Sequence, residues 1–152
     1  MEIIINEGTE KDLPAVLELI KGLAIFEKQP HAVTNTVERM REDMDYFEFF
    51  TAVVNGETVG MSLYYYTYST WVGKSLYLED LYVKPEYRNN GIGSQLLKKT
   101  VDVAKQQNCH RMRWQVLDWN TEAQKLYEKV GAEISKEWYN CDLSREGILK
   151  FK

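Results

Sequence analysis

The stretch "PEYRNNGIGSQLLKKTVDVA", residues 85–104, constrains the fold of this chain more than any other. It follows the β-rich run "KSLYLEDLYVKP", which reads as a strand ended by Pro85. It leads into a helix predicted over residues 91–107, with Leu96, Leu97, Val101 and Ala104 on the inward face. The run "HRMRWQVLDWN" reads as the next strand. A strand, a glycine turn, a helix and a strand in that order place the chain in the α/β class.

The turn itself is Arg88-x-x-Gly91-x-Gly93. Glycines there permit positive φ and close approach of a ligand to the backbone. A helix start adds unpaired N–H donors and the positive end of the helix dipole. Successive N–H groups make an anion nest, and Arg88 can add a charge-assisted contact. A phosphate or diphosphate is the natural guest. Two glycines alone fit a purely conformational turn equally well. The loop is not a Walker loop, because Ser94-Gln95 stands where Lys-Ser/Thr is needed, nor a dinucleotide fingerprint, because Leu96 takes the place of the third glycine.

Around this unit the chain alternates short β and α signals. "EIIINE" (2–7) reads as a buried strand, and Thr9 with Asp12 opens a helix carrying Leu13, Leu17, Ile20 and Ala24 inward. Residues 36–46 are weakly helical, and Asn55-Gly56 between two β-rich runs predicts a hairpin. "TEAQKLYEKVG" reads as a short helix stopped by Gly131, "AEISKEWYNCDL" as one or two closing strands, and "SREGILKF" as a last turn or two. With 44% hydrophobic and 28% charged residues and no linker or repeat, residues 1–152 are expected to form a single domain.

A net charge of -4 argues against a nucleic-acid partner. No apolar run approaches the ~20 residues of a membrane span, and no signal pattern precedes the first strand. Cys109 and Cys141 form no Cys-x-x-Cys pair, so a reducing, cytoplasmic setting is expected, with one disulfide left open. Neither His31 nor His110 has metal-ligand spacing, so no metal is assigned.

"YLEDLYVKPEYRNNGIGSQLLKK" resembles the acetyl-coenzyme A motif of the GNAT acetyltransferases, Arg/Gln-x-x-Gly-x-Gly/Ala, and "LDWNTEAQKLYEKVGA" resembles the family's next motif. "LAIFEK" (23–28) and "YYTYSTWVGKSLYLED" (65–80) are similar to the spermidine/spermine and thialysine acetyltransferases. The chain departs from these relatives at Asn89 and Asn90, where glycine is common, and matches loosely after Trp138. The resemblance implies a mixed central sheet of about six or seven strands flanked by helices. It also implies acetyl-CoA as donor, a small amine as acceptor and a homodimer.

It further implies roles for particular residues. Arg88, Asn89, Asn90, Gly91, Ile92, Gly93 and Ser94 would hold the diphosphate, and the backbone of Leu81, Tyr82 and Val83 the pantetheine arm. Asn120 would contact the carrier, while also serving as a helix N-cap. Glu79 would be the general base and Tyr127 the acid for the leaving thiolate. Phe26, Glu27, Glu79, Trp114 and Glu137 would face the amine, where acidic and aromatic side chains suit an alkylammonium. Without the resemblance, Tyr127 reads better as a core aromatic, and Trp114 reads nearly as well as one. Strict alternation puts Glu79 with Tyr77 and Leu81 on one face and Asp80 with Leu78 and Tyr82 on the other, so the two acids should not serve one site directly. The exposed faces of Tyr64, Tyr65, Tyr66, Tyr68 and Trp71 would supply a dimer contact. A non-catalytic acyl-CoA sensor and a peptide N-acetyltransferase are the alternative readings.

Overall fold

A computed structural model describes residues 1–152 and divides them into two compact units, 1–115 and 116–152. The first unit is built on a five-stranded sheet of order β1-β2-β3-β4-β5. Its strands are β1 (Ile4–Glu7), β2 (Glu48–Val54), β3 (Glu57–Ser69), β4 (Gly73–Val83) and β5 (Arg111–Arg113). Neighbours are antiparallel except β4 and β5, which are parallel and joined through α3 (Ile92–Gln106). α1 (Leu13–Phe26) and α2 (Val37–Glu42) complete the unit.

Period-2 side-chain alternation sorts the sheet's apolar residues into two cores. Phe50, Ala52, Val54, Tyr64, Leu76 and Val83 pack with Ile92, Leu96 and Ala104 of α3. Phe49, Met61, Leu63 and Tyr82 pack with Leu13, Val16, Leu17 and Leu19 of α1 and with Met40 of α2. The Thr9–Asp12 signal is used: the Asp12 carboxylate accepts from the Thr9 N–H at 2.8 Å ahead of α1. The Asn55-Gly56 turn has φ of 50° and 79°, the pair of positive values a two-residue hairpin loop requires.

Several expectations are corrected. The sheet has five strands rather than six or seven, because residues 132–143 pair with no strand. An extended segment holds as a strand only when its backbone groups are paired, and here Trp138 and Tyr139 lie 77% and 94% exposed. The run from His110 pairs with β4 over only three residues. β1 is an edge strand: Ile3 and Ile5 pack inward while Ile4 faces out. In α3 Thr100 is buried with Ile92, Leu96, Leu97 and Ala104, its hydroxyl 3.0 Å from both Ser62 Oγ and the Leu96 carbonyl, and Val101 is only half-buried.

The second unit carries α4 (Thr121–Lys129) and α5 (Arg145–Lys150). Gly131, at φ 93°, turns the chain out of α4. No helix of the chain is long and apolar enough to cross a membrane.

Candidate active site

β4 organises the candidate site in the first unit. Its register against β3 pairs Leu63 with Asp80 and Tyr64 with Leu78, so Glu79 is the extra residue of a β-bulge. A bulge reverses the parity of everything beyond it. Leu81 therefore packs with the α3 core and Tyr82 with the α1 core. Asp80 stands opposite Leu63, on the α1 side, and Tyr77 opposite Tyr65 on the same side. The Tyr65 hydroxyl donates to Glu79 Oε2 at 2.7 Å, and the Tyr65 and Tyr77 rings stack at 5.4 Å. The expectation that Glu79 and Asp80 face apart is thus overturned.

A third acid joins them from the end of α1. Burial pushes Asp80 up to about 7, and the Glu79 and Glu27 carboxylates push in the same direction. Glu27 is itself raised, by burial first and by Glu79 second. Two like charges held close cannot both ionise at no cost, and desolvation deepens that cost. Asp80 is the site residue that strict alternation conceals. Phe26, the last residue of α1, is 36% exposed beside Glu27. Tyr65 also lines a cavity of about 390 Å³ whose wall carries Asp45, Glu48, Tyr46 and Tyr66.

Further along β4 lies an unpaired edge. β5 accompanies β4 only from Ser75 to Tyr77. The Lys84 N–H donates to the Val59 carbonyl at 2.8 Å, so across this trans peptide the Val83 carbonyl points the opposite way. Antiparallel pairing then turns the amides of Leu81 and Val83 toward the open edge and that of Tyr82 toward β3. Of the three residues expected to meet a pantetheine arm, two present their backbone to this open edge.

Beyond Val83 the chain makes a turn and enters α3. Asn89 and Gly91 have φ of 63° and 77°. Asparagine tolerates this left-handed region better than most residues, which accounts for Asn89 at this turn. The Asn90 side-chain amide donates to the Tyr87 and Arg88 carbonyls, both at 3.1 Å. The first helical bond of α3 runs from the Gln95 N–H to the Gly91 carbonyl. The N–H groups of Ile92, Gly93 and Ser94 thus have no partner within the helix. Gly91 answers to its φ, but Gly93 needs no special φ, and a Cβ there would come no nearer to another residue than 3.9 Å, at Val83 Cγ2. A glycine that neither conformation nor packing demands leaves room for a guest against the backbone. The loop fits a diphosphate.

In the second unit the Asn120 side chain accepts from the Ala123 N–H at 3.3 Å, which is the N-cap its position predicts. Gln124 ties α4 to the segment before it through the Leu117 and Asp118 carbonyls at 2.9 and 3.0 Å. Tyr127 and Leu126 are half-buried on one side of α4, while Val130 caps the helix and is 54% exposed. Trp114 is half-buried just past β5, and Glu137 lies exposed in the strandless 132–143 segment.

Comparison with known proteins agrees with this fold. The sequence profile of the acetyltransferase (GNAT) family matches residues 13–132. The chain is a GNAT acetyltransferase. Among curated relatives of this acetyltransferase, thialysine N-epsilon-acetyltransferase of Sus scrofa is 42% identical over 161 residues, covering 96% of this chain and 95% of the relative. The Bos taurus enzyme of the same name is 41% identical, covering 91% and 90%. A solved Clostridium acetobutylicum structure, described as a predicted acetyltransferase with acetyl-CoA, shares the fold with a TM-score of 0.78, 18% identity, and coverage of 93% and 97%. This GNAT acetyltransferase is an N-acetyltransferase with acetyl-CoA as its acyl donor.

Proposed function

We propose that the acceptor is a primary amine of a small polyamine or lysine-like (thialysine) substrate, held at Glu27, Glu79 and Asp80. The observation that carries this reading is the bulge in β4, which sets Glu79 beside Asp80 on the face that Glu27 reaches from the end of α1. The names of the curated relatives support it. Acetyl-CoA supplies the activated acyl carbon and a thiolate leaving group.

The chain's own residues do the rest. A free alkylammonium has a pKa near 10.4, so the site must take its proton. Asp80, pushed up to about 7, is matched to that task, while Glu79 is held by the Tyr65 hydroxyl and orients the cation. Phe26 and Trp114 add aromatic surface to the amine pocket, and Glu137 a further carboxylate. Asp45 and Glu48 in the adjoining cavity suit a second cationic amine. The outward Leu81 and Val83 amides align the pantetheine arm, with an N–H available to a developing oxyanion. Ile92, Gly93 and Ser94 hold the diphosphate, Asn120 contacts the carrier, and Tyr127 gives a proton to the thiolate.

Thiol release measured over a panel of diamines, polyamines and lysine analogues tests the reading. Release with at least one is expected; none, despite CoA binding, would leave the sensor reading in its place. Mass gain on peptides but on no small amine would instead favour a peptide acetyltransferase. Gly93→Asp supplies a check on the loop. The new carboxylate suits a helix N-terminus, so thermal stability should hold or rise, while CoA affinity falls by at least about tenfold. Wild-type affinity in this variant would remove the loop from the carrier site.

We further propose that residues 1–152 act as one acetyltransferase domain, which the family match over 13–132 supports. The working form is a homodimer. Tyr68 and Trp71 at the β3–β4 hairpin are 77% and 84% exposed, which favours a partner surface there. Sedimentation should give twice the 17.8 kDa chain mass. Two free thiols, Cys141 exposed and Cys109 half-buried, fit a cytoplasmic location.

A further inference from the structure

We infer that Arg88 braces the diphosphate loop to the end of α1, so that the loop's hold on the acyl carrier depends on Phe26. Arg88 is the motif residue that a phosphate would be expected to claim, yet its side chain is engaged elsewhere. Its Nε donates to the Val83 carbonyl at 3.0 Å, the carbonyl that ends the open edge of β4. Its guanidinium carbon lies 4.8 Å from the Phe26 ring centroid and 5.5 Å from that of Tyr82. A flat guanidinium can donate in its plane and stack on its faces at once, which a lysine cannot do.

The remaining anchors of the turn lead elsewhere. Glu57, at the start of β3, accepts from Lys84 and from the Tyr87 hydroxyl. Asn90 closes the turn onto its own carbonyls. Through Arg88 the turn reaches α1, and the residue after Phe26 is Glu27 of the acid cluster. One helix end therefore carries both a carboxylate facing the amine site and the ring that holds the loop's arginine. The two sites are coupled through it, and by linkage any factor by which amine changes CoA affinity is returned to amine by CoA. Phe26 is partly exposed, so the stack is worth the lower range of such contacts, about two- to fivefold in affinity.

This inference rests on the loop being the diphosphate site. Titration calorimetry of CoA with wild type, Phe26→Leu, Phe26→Tyr, Arg88→Lys, the Phe26→Leu/Arg88→Lys pair and Gly93→Asp tests both. Phe26→Leu should weaken CoA about two- to fivefold, and Phe26→Tyr, which keeps the ring, should restore wild-type affinity. In the Arg88→Lys background Phe26→Leu should add nothing, since the stack is already lost. If Gly93→Asp loses CoA while Phe26→Leu does not, or if the Phe26 and Arg88 losses add in full, the brace is wrong and the loop assignment survives. If Gly93→Asp binds CoA like wild type, the loop assignment fails and takes the brace with it.

Discussion

Replacing Asp80 with asparagine should lower kcat/KM for the best amine by about 10²–10⁴-fold, the range for loss of a general base. Glu79→Gln should cost less, about tenfold, because its carboxylate orients the cation and does not itself take the proton. The two are separable by pH. A base works deprotonated, so the acid limb of the wild-type kcat/KM profile should end near about 7, and Asp80→Asn should lose that limb. Stability gives an independent readout. An unperturbed aspartate titrates near about 3.9, whereas folding pushes Asp80 up to about 7. Between these values the folded chain keeps a proton that the unfolded chain releases. The contribution of Asp80 is thus fully present below this window and is lost as pH rises through it. Asparagine has no proton to lose, so the variant should melt with less dependence on pH from 4 to 8 and gain on wild type at the alkaline end. An unaltered acid limb together with near wild-type turnover would return the role of base to Glu79.

How much of this was legible in the sequence follows from the range of the forces involved. The Asn55-Gly56 hairpin, the Asp12 cap and the α3 start depend on a few neighbouring residues, and each stands where local rules put it. Gly91 is of the same kind, since its φ is a local demand. The pairing of Glu79 with Asp80 is different. It depends on β4 spending two residues opposite one on β3, a choice made by the partner strand and invisible to a period-2 count along "LYLEDLYV". Residues 132–143 failed as strands for a related reason: alternation of apolar and charged residues states a preference, but a ladder needs a neighbour. Thr100 is buried where Val101 was expected because Ser62, 38 positions away, supplies a hydroxyl to meet it. Asp80, whose place beside Glu79 depends on strand registration, was for the same reason not nameable in advance.

Tyr127→Phe should reduce kcat by at least about 10²-fold while CoA affinity stays within about twofold. The substitution removes one oxygen from a half-buried ring on α4 and leaves its packing volume intact. The helix is held by other means: the Asn120 cap, the Gln124 bonds to the Leu117 and Asp118 carbonyls, and the bond from the Ala132 N–H to the Tyr127 carbonyl at 3.0 Å, which is a backbone bond that phenylalanine keeps. A loss of activity without a loss of melting temperature would therefore report on the hydroxyl alone. Its expected use is to protonate the departing thiolate. Thiols have pKa values near 8.5, so the leaving group is fair without help and the donated proton adds rate without being indispensable. That sets the form of the result. The alkaline limb of the pH profile should vanish in Tyr127→Phe, because an acid acts only while it holds its proton. The loss should also shrink with an acyl donor built on a more acidic thiol, which needs less proton donation as it leaves. Turnover that survives the substitution with its alkaline limb unchanged would show that Tyr127 is a packing residue and that the thiolate departs unaided or is protonated by another group.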